Sequence, residues 1–151
     1  MAVYTQVSTE ELVAFLHRYD HGGLLSAKGI AEGVENSNYL IHCTTGSYIL
    51  TLYEKRVKKE DLPFFISLME HLSQRGINCP LPVRNKAGEA LGTLAGRPAA
   101  IVTFLEGVGV QRATVGHCGE VGAALAKLHL AGEGFKDRKS TRLNSSHITI
   151  S

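Results

Sequence analysis

The chain has 151 residues, 44% hydrophobic and 20% charged, with a mean hydropathy of zero, which fits one soluble domain or a piece of one with a sizeable core. Of its 16 basic and 14 acidic residues, Arg138, Lys139, Arg142 and Asp137 lie in the C-terminal tail, leaving 13 of each sign in residues 1–136. That balance asks for neither nucleic acid nor an anionic membrane as partner. No basic start followed by an apolar run suggests a signal peptide, and no eighteen-residue apolar stretch spans a bilayer. Cys43, Cys79 and Cys118 are odd in number and far apart, which suits reduced thiols in a cytosolic protein.

In chain order, Ser8 to Tyr19 reads as a helix. Ser8 caps it, Glu11 reaches back to the Ser8 N–H, and Val7 and Leu12 form a hydrophobic staple. Leu12, Val13 and Leu16 make its apolar side, and Gly22–Gly23 end it. Strands follow at about 24–32, 38–43 and 47–53, the last two joined by Thr44-Thr45-Gly46. Tyr39, Ile41 and Cys43 alternate with Leu40 and His42, while Ile49 and Leu52 help fill the core. A second helix runs from about Asp61 to Arg75 on a stripe of Leu62, Phe65, Leu68, Met69 and Leu72, and Gly76 stops it. Two strands, near Pro82–Arg84 and Glu89–Thr93, flank a turn at Lys86-Ala87-Gly88. Pro98–Phe104 is a strongly apolar strand, and Glu106–Gln111 a loop. Thr114 then caps a helix to Ala131, with Cys118, Val121, Leu125 and Leu128 spaced by threes and fours, and Gly132 closes it.

The segment from Lys28 to Arg56, KGIAEGVENSNYLIHCTTGSYILTLYEKR, carries the most chemistry. Gly29 and Gly33 bracket its first turn, and Asn36, Ser37 and Asn38 open the strand that follows. A polar turn between two strands can lay backbone N–H groups over a phosphate chain. The same residues also serve as a plain turn, with Asn36 and Asn38 stabilising it through Asx-type bonds. His42, His71, His117 and His129 are scattered and show no metal-ligand spacing.

Four stretches in order, Lys28 to Arg56, LPFFISLMEHLSQRGINCPLPV, GRPAAIVTFLEGV and VGAALAKLHLAG, resemble bacterial homoserine kinase of the aminoglycoside-phosphotransferase and choline-kinase-like family. The resemblance covers almost all of the chain to about Phe135. It implies an α+β fold: a protein-kinase-like small lobe over residues 1–104, with a mostly antiparallel sheet and flanking helices. A linker and the first helix of a truncated large lobe follow over 105–136. It also implies ATP and Mg²⁺ as cofactors, homoserine as acceptor and a place in threonine biosynthesis. By this likeness Gly33, Glu35, Asn36, Ser37 and Asn38 belong to the phosphate-covering loop. Thr103, Phe104, Leu105 and Glu106 form the adenine linker, where backbone groups meet the base edge. The third strand of a kinase carries a lysine for the α and β phosphates, paired with a helix glutamate. Thr51 stands at that position here, so Lys55, Arg56 and Lys28 are the candidate cations and Glu70 the candidate partner. The alternative is a solvated strand end at Glu54-Lys55-Arg56 and a surface Glu70.

Phosphoryl transfer also needs a carboxylate to take the hydroxyl proton and carboxylates to hold Mg²⁺. Families of this fold supply them from H-x-D followed by N, and from a later Asp, beyond the LHLAG helix. This chain has three aspartates, Asp20, Asp61 and Asp137, and no H-x-D. It is expected to be the first part of an enzyme and itself inactive. Aminoglycoside, choline or methylthioribose kinases of the same fold are alternative readings, as is a stand-alone nucleotide-binding module. The tail, DRKSTRLNSSHITIS, has no apolar periodicity. Through His147 it is also what a common sequencing-adapter sequence encodes, so residues 137–151 are expected to be non-native.

Overall fold

In the computed structural model, residues 5–31, 35–54 and 57–136 are described. A period of two in burial along the second and third strands sets the architecture. The elements are α1 (Thr9–Leu16), β1 (Leu24–Ile30), β2 (Asn36–Cys43), β3 (Gly46–Tyr53), α2 (Leu62–Gln74), β4 (Pro82–Val83), β5 (Leu91–Leu94), β6 (Arg97–Thr103) and α3 (Val115–Gly132). Ser37, Tyr39 and Ile41 of β2 stand opposite Leu52, Leu50 and Tyr48 of β3, and Leu50 and Leu52 stand opposite Ile101 and Ala99 of β6. Ile41, Leu50, Leu52, Ala99 and Ile101 are wholly withdrawn from solvent. Helix α1 closes this face with Leu12, Phe15 and Leu16, and Tyr19 follows from the turn beyond it.

Every pairing in the sheet is antiparallel, in the order β1-β2-β3-β6-β4, with β5 also on β6. The mostly antiparallel small-lobe sheet expected from the sequence is therefore present. The two short strands around Lys86-Ala87-Gly88 do not pair with each other. Val83 of β4 pairs with Ile101 and Leu91 of β5 with Ala100, so both lie along one edge of β6. The loop between them closes on itself, since Asn85 Oδ1 accepts from the N–H groups of Ala87 (2.9 Å) and Glu89 (3.0 Å). Seven residues of β6 are long enough to receive both strands end to end. The β5–β6 connection is a two-residue turn at Ala95 (φ 49°) and Gly96 (φ 71°). Positive φ at both central residues matches the twist of the paired strands.

Two helical stripes differ from the periodicity. On α1, Phe15 is buried at 4% exposure and Val13 is left half-exposed at 37%. On α2, Leu62 and Ile66 face inward while Phe65 stays 44% exposed. Ile66 packs with Ala90 and Ala100, and Met69, Tyr53 and Leu91 pack around them. The α2 sequence offers two interleaved apolar stripes, and the sheet beneath selects the one that reaches Ala100. Helix α3 meets α2 through the His71 Nε2–H donated to the Ala131 carbonyl (2.9 Å) and through Phe135, whose ring lies 5.5 Å from Phe64 and 5.1 Å from His71. Its Cys118, Val121 and Leu125 face solvent and Leu128 is half-buried. No helix among the described residues is long and apolar enough to cross a membrane.

Gly92 lies under α1. A Cβ there would stand 2.9 Å from Phe15 Cε2 and 3.3 Å from Phe15 Cζ, on a ring that is itself buried. Gly92→Ala is expected to destabilise the fold by about 1–3 kcal/mol through overpacking, read as a lowered urea midpoint. The His21 ring stacks on Tyr48 (4.3 Å) and faces Tyr19 (5.9 Å), and its buried Nε2 has no hydrogen-bond partner. Burial holds its pKa below the usual histidine range, against the opposing charge of Asp20. The unfolded chain takes up that proton near pH ~6.5, so this contribution to stability is complete above ~6.5 and drains away as pH falls. Urea midpoints measured from about pH 7.5 down to about 5.5 should fall less for His21→Phe than for the parent.

Candidate functional site

The sheet has a second face, set by the residues between the buried ones. Lys28 and Ile30 of β1 stand opposite Leu40 and Asn38, and Asn38 and Leu40 stand opposite Thr51 and Ile49. Thr51 and Ile49 in turn face Ala100 and Val102. Asn38, Leu40, Ile49, Thr51 and Val102 are all half-buried. Helix α2 covers part of this face, over Ala100, and β6 leads out of it into the linker. Near its middle the Thr51 hydroxyl donates to Asn38 Oδ1 at 2.8 Å. The residue at the expected lysine position therefore holds a loop-end asparagine. Burial keeps the Tyr53 phenol above its ordinary pKa, hence uncharged.

The expected phosphate-loop residues divide between the two faces. Glu35 is exposed. Asn36 and Asn38 lie on the open face, and Asn36 Oδ1 accepts from the Glu54 N–H at 3.4 Å. Ser37 points the other way and is fully buried, donating its hydroxyl to Glu54 Oε1 (2.8 Å) and accepting the Thr5 N–H (3.0 Å). Its side chain is thus unable to meet a nucleotide, because the two-residue period of β2 turns it into the core. Gly33, Lys55 and Arg56 lie outside the described residues. Lys28 is exposed on the open-face side of β1, at the edge of the sheet.

Glu70 is paired with Arg84, 2.5 Å away, and Arg84 also donates to the Gly88 carbonyl. Both line a groove with Pro63, Ile66, Glu89 and Leu91, on the side of the sheet where Ile66 packs over Ala90 and Ala100. In the linker, Thr103 is held at both ends: its N–H donates to the Leu81 carbonyl (2.9 Å) and its Oγ1 accepts the Leu81 N–H (2.9 Å). None of the described backbone hydrogen bonds uses Phe104, Leu105 or Glu106.

Glu54 is a residue whose importance the local pattern hid. A solvated strand end is one reading of it, yet its side chain is only 11% exposed. Oε1 accepts hydroxyls from Thr5 (2.6 Å) and Ser37 (2.8 Å), and Oε2 lies 3.3 Å from Arg97 Nε. The signal was in the alternation, because Leu50, Leu52 and Glu54 share the inward face. Among the described residues no group of three His, Cys, Asp or Glu could hold a metal ion.

The chain is similar to known proteins in both fold and sequence. A solved structure of a spectinomycin phosphotransferase, in complex with ADP and spectinomycin, superposes over 97% of this chain and 49% of its own with a TM-score of 0.65, at 15% identity. At that identity the likeness is one of fold. Homoserine kinases of Nitrobacter winogradskyi and Afipia carboxidovorans are 65% and 63% identical to the chain over 144 residues, which is 95% of this chain and 44% of theirs. That of Methylobacterium radiotolerans is 62% identical over 146 residues. The chain thus spans under half the length of these curated relatives. The model of the phosphotransferase enzyme family matches residues 26–148. With most of its length inside that match, the chain belongs to the phosphotransferase enzyme family.

Proposed function

We propose that the chain is the nucleotide-binding portion of an ATP-dependent homoserine kinase, acting in the cytoplasm on the route to threonine. What carries this reading is identity above 60% to homoserine kinases across 95% of the chain. The geometry fits it. The open sheet face with the Asn38–Thr51 pair would roof the nucleotide. The main chain of Phe104–Glu106 would meet the adenine edge, and the turn that ends at Asn36–Asn38 would cover the phosphates. With Thr51 in the lysine position, Lys28, Lys55 and Arg56 remain the candidates for phosphate charge. The ADP in the spectinomycin phosphotransferase structure supports a nucleotide in this fold.

In the reaction the γ-phosphoryl group passes to the homoserine side-chain hydroxyl. ADP leaves, and the hydroxyl proton goes to a carboxylate. We place that carboxylate, the Mg²⁺ ligands and the acceptor pocket in the part of the protein that this chain does not span. A different small alcohol as acceptor is the second reading, favoured by the aminoglycoside-type fold match.

Two expectations follow from the missing groups. The 151-residue chain should not turn over ATP with homoserine, since losing such groups costs several orders of magnitude in rate. Its ATP binding should be weak and nearly the same with or without Mg²⁺. Turnover above a mock preparation, or micromolar Mg²⁺-dependent binding by calorimetry, would overturn this assignment of roles. Residues 137–151 we read as adapter-derived, although the family match extends to residue 148. Resequencing the source gene should show a different continuation after about Lys136, and a natural gene encoding DRKSTRLNSSHITIS in frame would refute it.

A further inference from the structure

We propose that Glu54 is a positioning residue for the nucleotide site, holding from the opposite face of the sheet the two residues that open β2. This inference rests on the nucleotide reading above.

Glu54 grips Asn36 and Ser37 twice. Its carboxylate accepts the Ser37 hydroxyl (2.8 Å), and its backbone N–H donates to Asn36 Oδ1 (3.4 Å). Thr5 closes the ring by donating its N–H to Ser37 Oγ (3.0 Å) and its hydroxyl to Glu54 Oε1 (2.6 Å). Thr5 is itself fixed, because the Tyr39 hydroxyl donates to its carbonyl at 2.6 Å. Arg97, at the start of β6, balances the charge at 3.3 Å. Three chain segments that are remote in sequence therefore meet on one carboxylate. An ionised carboxylate only accepts, which suits the donors that converge here.

Stability alone is a poor reason for this choice. Leu50 and Leu52 precede Glu54 on the same face, and a third aliphatic residue would extend the core. Replacing a buried ion pair by well-packed apolar residues is often neutral or stabilising. What the polar network adds is direction. It fixes where β2 begins, and so where Asn36 and Asn38 sit on the open face. Asn38 in turn is fixed by Thr51 from β3. Glu54 cannot touch a nucleotide itself, since it lies on the α1 side.

The test is steady-state kinetics in the full-length protein. In Glu54→Gln one acceptor oxygen becomes an NH₂, which must face either Arg97 or the two hydroxyls. We expect the KM for ATP to rise about fivefold or more, with the KM for the alcohol acceptor within about twofold of the parent. Ser37→Ala removes a single donor and should raise the KM for ATP about two- to threefold, which decides the matter if Glu54→Gln does not fold. Gly92→Ala, destabilised through Phe15 on the same side of the sheet, is the control and should leave the KM for ATP unchanged. An unchanged KM for ATP in the folded Glu54 or Ser37 variant, or an equal rise in Gly92→Ala, overturns the proposal alone. A parent enzyme that does not use ATP overturns the nucleotide reading, and this one with it.

Discussion

The pairing of β3 with β6 sits at the centre of the molecule, and the other elements are arranged on its two sides. Leu50 and Leu52 meet Ile101 and Ala99 there with no solvent contact, and Ala100 is equally buried on the opposite face. Residues 54–96, which include α2, β4 and β5, intervene between these strands. Bringing such distant residues together costs loop-closure entropy, but that cost grows only with the logarithm of the loop length. Each fully buried aliphatic side chain returns about 1.5–3 kcal/mol. A short run of apolar residues on two strands is enough to hold the intervening helix against the sheet.

Once that pair is formed, the pleat gives the sheet two chemically different faces. The α1 face is filled by large side chains and closed at one end by the Glu54 network. The other carries half-buried polar and aliphatic residues and is covered only in part, by α2. The division explains why neighbouring residues in one motif have unlike environments. Asn36 and Asn38 reach the open face, while Ser37 between them is an internal hydroxyl. Thr51 also stands on the open face, where its hydroxyl holds Asn38.

Helix α3 stands apart from this logic. It is tied to α2 at one end by the His71–Ala131 hydrogen bond and the Phe135 ring, while Val121 and Leu125 lie open to solvent at 67% and 49% exposure. An apolar stripe of this kind marks a surface that packs against something else. The chain covers under half the length of its curated relatives.

Much of this was legible in the chain itself. The capping box at Ser8 and Glu11 forms both of its bonds, at 3.2 Å and 3.0 Å, and Thr114 caps α3 through the His117 N–H. Such signals involve residues three or four apart, so local sequence contains both partners. The period of two likewise marked β2 and β3 as strands. What local sequence could not decide were choices between near-equal local options. On α2 it was Ile66 and not Phe65 that turned inward, because Ala100 lay beneath it. The strands β4 and β5 paired with β6 and not with each other. Glu54 became an internal anchor because Thr5, Ser37 and Arg97 were brought to it from remote parts of the chain. The sequence by itself determined which segments are helices and strands and which family they belong to. Only the tertiary structure decided which face of each is buried and which polar groups meet, since burial and pairing are set by neighbours that the chain order does not name.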